Sequence, residues 1–503
     1  MKNKILKITA LVLLSFTVAC NDDFEEGNNQ VNGTDFNKEL LSPQQINEII
    51  DASVENTGQF HWENASLQVL WSASQHGSNI VTIGYGTSKE DYIKANSTNS
   101  DKIVATILNT ITENEKGSIE KTLIYKDEVL NIIDVIVTDQ KTLYLLRNNK
   151  NVRYVEPADY RYSNYAQTNQ RSGGGGSGCG FEATTLVSSD YTTITPGAKV
   201  PWNFYNHNIP TAWAKSTGAG VTIGVIDTGV SPSQSLLGSN FNNGASSGRT
   251  VQKFGTYVDS ALLWATTTDG FNDQCGHGTS MTATATAPRN NKGLPVGVAY
   301  NANLISYRAS ANVVLEGYHE HKGVQNAFTG LGNNSNVKII SMSMGHFISI
   351  GRIVDGVRYA HGKGKLIFCA GGTSTSFTSF VGVIFPAWMP ETVAVTGIKE
   401  GAGYTKCSIC HSGAQMDFTV VMERKATGNT APVLSYYENM TDYVGGSSVA
   451  TATTAGIAAL VWSKNPSWTR AQVLTKLQKS SSNYPTRDSK FGYGNINAAL
   501  AVQ

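Results

Sequence analysis

Val221-Thr222-Ile223-Gly224-Val225-Ile226-Asp227-Thr228-Gly229 is an unbroken β-rich apolar run that ends on a carboxylate and a turn. A run without alternation has both faces covered, as strands of a parallel sheet flanked by helices do. Runs of the same texture recur at 303–308, 337–342, 365–370 and 392–396. Helix-length stretches at 277–287, 322–331, 351–361 and 448–464 are interleaved with them or follow them. The pattern predicts a doubly wound, mostly parallel α/β domain over 201–503, whose functional groups gather beyond the carboxyl ends of the strands.

The whole chain has 503 residues, 40% of them hydrophobic and 15% charged, with 39 Lys+Arg against 38 Asp+Glu and a formal net charge of +1. No basic excess exists to neutralise a phosphate backbone, so nucleic acid is excluded as the expected partner, and the apolar content excludes a mainly disordered chain. At roughly 100–200 residues per domain the length predicts two or three domains.

The first twenty residues read as an export signal. Lys2, Lys4 and Lys7 precede an apolar run over 8–19 that is too short to span a bilayer, and Cys20 follows. Val18-Ala19-Cys20 resembles a bacterial lipobox, with Thr17 where Leu is usual, so Cys20 is the expected lipidation site and membrane anchor. The acidic stretch 21–37 reads as a flexible tether resembling the segment that sends lipoproteins to the cell surface. The expected location is the outer membrane or cell surface, with release after processing. Ordered sequence begins with a helical pattern at 43–54. In the smaller α+β domain expected over 38–160, strands are predicted at 119–125, 130–137 and 152–155, with a helix at 139–148. Gly173-Gly174-Gly175-Gly176 marks a linker over 161–200. Of the five cysteines after Cys20, Cys369 lies in an apolar run and is the expected buried thiol. Cys407-Ser408-Ile409-Cys410 is half a zinc site and, in an exported protein, equally a short-loop disulfide. Sequence does not assign the pairing.

Three segments carry chemistry. Asp227 stands at a strand end; Gly276-His277-Gly278-Thr279 opens a helix of small residues; Gly445-Gly446-Ser447-Ser448 introduces another, with glycines that allow close approach. Fifty residues separate Asp227 from His277 and 171 separate His277 from Ser448. These segments resemble the subtilisin-like serine proteases, in which Asp, His and Ser follow in that order. The likeness runs through the last 300 residues. Ile339-Ile340-Ser341-Met342-Ser343-Met344-Gly345 resembles the substrate-binding strand. Phe385-Pro386-Ala387 and Val393-Ala394-Val395 resemble later sheet segments, and 465–469 and 491–497 the C-terminal helices. The resemblance implies a serine endopeptidase acting through an acyl-enzyme. His277 would be the general base for Ser448, and Asp227 would orient the imidazole. No cofactor is required for that chemistry. Many such proteases bind calcium, but no acidic loop with EF-hand spacing occurs and no metal site is assigned.

The oxyanion hole departs from the family pattern. The Ser448 backbone N–H is one expected donor, but Cys369-Ala370-Gly371-Gly372-Thr373-Ser374 places Gly372 where the family has an Asn amide. A hydroxyl from Thr373 or Ser374 is the expected substitute. A peptide or protein substrate is expected to lie as an extended strand beside Ser343, Met344 and Gly345, with Ala370 and Gly371 walling the side-chain pocket. Residues 121–159 resemble the end of an inhibitory propeptide, which makes the N-terminal domain an intramolecular inhibitor of a zymogen. Gly372 also keeps a second reading in view, a catalytically impaired peptide-binding surface protein of the same fold.

Overall fold

The computed structural model describes residues 36–94, 98–162, 179–374 and 382–503. The signal, Cys20 and most of the tether lie outside them, as does the glycine-rich part of the linker. Seven parallel strands form the main sheet, in the order β13-β12-β11-β10-β7-β9-β8. They are β7 (Thr222–Asp227), β8 (Val251–Gly255), β9 (Asn303–Arg308), β10 (Val337–Met342), β11 (Leu366–Ala370), β12 (Val393–Lys399) and β13 (Met416–Glu423). The α/β doubly wound expectation holds. β7 is buried along its whole length and lies between β10 and β9, with Ile226 beside Met342 and Asp227 beside Arg308.

Helices cover both faces. His277–Thr286 and Gly446–Lys464 pack into one apolar core with Val225, Phe368 and Val395. Tyr318–Asn333 and Gly351–Gly362 pack into a second core on the opposite face with Ile226, Ile340 and Ile367. The 19-residue helix Gly446–Lys464 is buried on nearly all sides because it runs through the interior, with Ser448 half-buried in its first turn. The C-terminal stretches 465–469 and 491–497 are not helices themselves; the helices Arg470–Lys479 and Ala498–Ala501 begin just after them.

The N-terminal domain is a four-stranded antiparallel sheet, β2-β3-β1-β4, built from β1 (Ile80–Tyr85), β2 (Leu123–Lys126), β3 (Ile132–Ile136) and β4 (Val152–Pro157). Its helices include Pro43–Thr57, Leu67–His76, Thr98–Glu115 and Gln140–Arg147. The strand predicted at 119–125 is half wrong. Ile119–Thr122 forms a helical turn whose Lys121 and Thr122 N–H groups donate to Ser118 O, and the strand begins at Leu123. Glu120 and Lys121 interrupt the apolar run there, which favours the turn.

This domain sits on the starts of the two helices of the second core. Arg352 donates to both oxygens of Asp134 at 2.8 and 2.7 Å, and Arg153 to both of Asp355 at 2.9 and 2.6 Å. Both Glu156 oxygens accept from Gly351 N–H, and Asp159 accepts from Tyr318 N–H at 2.9 Å. Carboxylates placed at helix N-termini complement the exposed amides and the dipole.

The linker expected over 161–200 is folded from Cys179 onward. Cys179 is bonded to Cys275, and β5 (Tyr191–Ile194) and β6 (Ala198–Pro201) form a hairpin packed against the first apolar core. Thr184 N–H donates to Thr441 O at 2.7 Å. Cys407 is bonded to Cys410, and Cys369 is a buried free thiol. Among the described residues no helix is long and apolar enough to cross a membrane, and no group of three metal-ligating side chains converges.

The two disulfides span sequence separations of 96 and 3. Loop-closure entropy then gives the first about 4–5 kcal/mol and the second about 1–2 kcal/mol of stabilisation. Thermal unfolding of the Cys179→Ser/Cys275→Ser and Cys407→Ser/Cys410→Ser proteins should show the larger loss for the first pair; equal losses would contradict the entropic account.

Candidate active site

Asp227 closes β7 at the carboxyl edge, its side chain fully buried. Its Oδ1 accepts from Thr228 N–H at 2.8 Å and from His277 Nδ1 at 2.7 Å. An ionised carboxylate only accepts, so the Nδ1 hydrogen lies between the two groups and Nε2 of a neutral ring is left as the proton acceptor. Burial disfavours the imidazolium, but the Asp227 charge and hydrogen bond outweigh it and hold His277 above the usual imidazole range.

His277 begins its helix directly after Gly276, whose φ of +88° is open to glycine. Asp273 builds this turn. Its Oδ1 accepts from Thr228 Oγ1 at 2.9 Å and from the N–H groups of Cys275 and Gly276 at 2.8 Å each, and its Oδ2 accepts from Thr279 N–H and Oγ1 at 3.0 and 2.6 Å. One side chain thus fixes the Asp227 turn and the start of the His277 helix together. Gly278 completes the fit, since a Cβ there would lie 2.4 Å from Gly229 O. Asp273 escaped the sequence reading; a carboxylate four residues before a helix-opening histidine was the available signal.

Ser448 lies in the first turn of Gly446–Lys464 and meets the residue that follows β10. Ser343 Oγ donates to Ser448 O at 3.1 Å, and Ser448 Oγ donates to Ser343 O at 3.5 Å. Since β10 neighbours β7, Ser448 reaches the same sheet edge as Asp227 and His277. No hydrogen bond joins Ser448 Oγ to His277 among the described residues; such bonds often form only when substrate arrives.

The expected oxyanion region is rebuilt around a histidine. Gly372 has φ +127°, and a Cβ on it would stand 2.3 Å from His411 Nδ1, so the imidazole fills the space of the missing side chain. His411 Nδ1–H donates to Gly382 O at 2.8 Å, and His411 N–H donates to Gly372 O at 3.0 Å. Burial pushes this imidazole down to about 4, leaving it neutral. Gly372 N–H donates to Ser447 Oγ at 3.1 Å, and Thr373 Oγ1 accepts from Ser447 N–H at 3.3 Å. The Thr373 hydroxyl therefore abuts the residue preceding Ser448. Ser374 lies one residue further on, its N–H donating to Ile409 O.

The expected substrate edge is not open. Gly345 N–H donates to Val313 O at 3.0 Å, and Leu315 N–H donates to Gly345 O at 3.1 Å. Met344 is packed into the second core. Gly371 N–H donates to Val395 O at 2.9 Å and Ile384 N–H to Gly371 O at 3.0 Å, so Gly371 with buried Ala370 forms wall rather than open surface.

The family profile described as the subtilase family matches residues 218–494. The chain is 28% identical over 322 residues to subtilisin E of Bacillus subtilis (strain 168), covering 64% of this chain and 76% of that protein. It is 28% identical over 311 residues to alkaline elastase YaB of Bacillus sp. (strain YaB), covering 62% and 72%. Among solved structures, fervidolysin from Fervidobacterium pennivorans, described as a keratinolytic enzyme related to subtilisin, matches with a TM-score of 0.57 at 15% identity, over 84% of this chain and 61% of that one. That likeness is one of fold.

The packing against Gly372 generates a prediction. Gly372→Asn alone brings a Cβ onto the His411 ring and should destabilise the protein by about 1–3 kcal/mol, the usual cost of overpacking. Gly372→Asn with His411→Ala should recover the steric part of that loss in thermal unfolding, the strain of a side chain at φ +127° remaining; a single variant as stable as the parent would show that the ring does not fill this space.

Proposed function

This chain belongs to the subtilase family and is a serine endopeptidase, and we propose that Asp227, His277 and Ser448 form its catalytic triad. The observation that carries this reading is the buried 2.7 Å bond from His277 Nδ1 to Asp227 at the sheet edge that Ser448 also reaches. A serine hydroxyl is a weak nucleophile near neutral pH. In the proposed cycle His277 Nε2 takes the Ser448 proton as Oγ attacks the scissile carbonyl. It then returns that proton to the leaving amine, which departs and leaves an acyl-enzyme. Water, deprotonated by the same nitrogen, attacks the ester and restores Ser448. Asp227 stabilises the transient imidazolium without taking its proton.

The developing oxyanion would receive the Ser448 N–H at a helix N-terminus, where the dipole favours negative charge. The side-chain donor is assigned to the hydroxyl cluster of Thr373 and Ser447 rather than to an amide at residue 372. An extended peptide would pair with the edge at 343–345 once that edge is free. The N-terminal domain over 38–160 is read as the inhibitory propeptide. Export and lipid attachment at Cys20 are read from the leader sequence; labelled fatty acid incorporated into the parent and equally into Cys20→Ser would refute the anchor.

A serine-directed fluorophosphonate should label the processed protein, and Ser448→Ala should abolish that labelling. Silence of the processed parent would instead favour the peptide-binding reading that Gly372 suggests. His277 serves as base only when neutral, so kcat/KM should fall as pH drops through a midpoint above the ordinary imidazole value of about 6.5. Asp227→Asn removes the attraction that raises His277 but leaves the burial, so the acid limb should move to lower pH while kcat falls by about 10⁴. An acid limb unmoved by Asp227→Asn would assign the titration to another group.

A further inference from the structure

We propose that the N-terminal domain keeps the enzyme latent by clamping a strap of the catalytic domain, residues 313–315, onto the edge that substrate must use. The inference rests on the reading that an extended substrate pairs with 343–345. Both backbone groups of Gly345 are engaged by the strap, through Gly345 N–H to Val313 O at 3.0 Å and Leu315 N–H to Gly345 O at 3.1 Å, in a parallel bridge centred on Val314. A backbone N–H has one hydrogen to give, so no peptide strand takes Gly345 N–H until Val313 O releases it. The neighbouring Ser343 carbonyl is engaged as well, by Ser448 Oγ at 3.5 Å. Substrate edge and nucleophile are therefore both satisfied internally.

The strap is held from two sides. Leu315 is fully buried in the second core of the catalytic domain, whereas Val314 packs against the apolar cluster that the N-terminal domain forms together with Phe347 and Ile348. The segment just beyond Gly345 is covered by the same domain. Phe347 and Ile348 belong to its core cluster, Phe60 bridges Ile348, and Ser349 N–H donates to Phe60 O at 3.0 Å. Just beyond the strap, Tyr318 N–H donates to Asp159. The domain thus shares a cluster with the strap and holds the segment that follows Gly345, and the Gly345 pairing itself is made by Val313 and Leu315. Removing it takes away most of the apolar cluster against which Val314 packs and leaves two backbone hydrogen bonds, which a substrate strand replaces in kind.

The test uses the full chain. In the uncleaved protein, Val314→Asp weakens the packing against the N-terminal domain without altering the proposed triad. Apparent substrate affinity scales with the fraction of open edge, so hydrolysis of an extended tetrapeptide anilide should rise about tenfold or more, while Ser448 labelling by a small fluorophosphonate changes little. Val314→Ala should move the rate in the same direction by less, which guards against misfolding of the charged variant. In the Ser448→Ala chain, amide exchange at Gly345 and Leu315 should accelerate once the N-terminal domain is cut off and removed, with the β7 amides unchanged. The proposal is overturned if Val314 variants hydrolyse the tetrapeptide no faster than the uncleaved parent, or if those two amides stay protected after removal. Absence of fluorophosphonate labelling from the processed parent would count against the triad instead, and the exchange measurement would still decide the strap.

Discussion

A buried carboxylate at the end of a central parallel strand has to be held by hydrogen bonds, and the arrangement around Asp227 follows from that requirement. Its Oδ1 accepts from both Thr228 N–H and His277 Nδ1, while among the described residues Oδ2 accepts no hydrogen bond. Desolvating an ion is costly unless a donor that can take up positive charge stands close. That donor is His277, and its raised proton affinity is the other side of the same balance. Asp273 bears the structural part of the task, since its five accepted bonds fix the turn that presents the imidazole.

The N-terminal domain meets the catalytic body with the same physics on a larger scale. Asp134 and Asp355 are paired with arginines out of water, and Glu156 and Asp159 face exposed amides at helix starts. Buried ion pairs add little net stability when complete and cost several kcal/mol when one partner is removed. Such a contact tolerates a single register, and that register is the one that places Val314 under the N-terminal core.

Predominantly apolar runs made β7, β9, β10, β11 and β12 legible in the sequence, because burial on both faces favours apolar residues at successive positions. β8 was not legible. It is one of the two outer strands of the sheet, and its Val-Gln-Lys-Phe-Gly alternates between half-buried and exposed positions. β1 was also missed, although all six of its residues are buried and the turn residues Gly77-Ser78-Asn79 and Gly86-Thr87-Ser88 bound it. In the site, Asp227, His277 and Ser448 stood out through their glycine-rich turns. His411 did not, because its contact with Gly372 joins residues far apart in the chain. The same holds for the pairing of 313–315 with Gly345 and of Cys179 with Cys275. A single sequence shows which residues can do chemistry; it does not show which distant backbone groups have already found each other.

The bond from Cys179 fastens the chain two residues ahead of the proposed general base. Any scission upstream of residue 179 creates a new amino terminus that cannot drift off, because sulfur holds it to the loop whose geometry sets the imidazole. Trimming the precursor and loosening the catalytic centre are thereby separate events, and only a reductant could make them one.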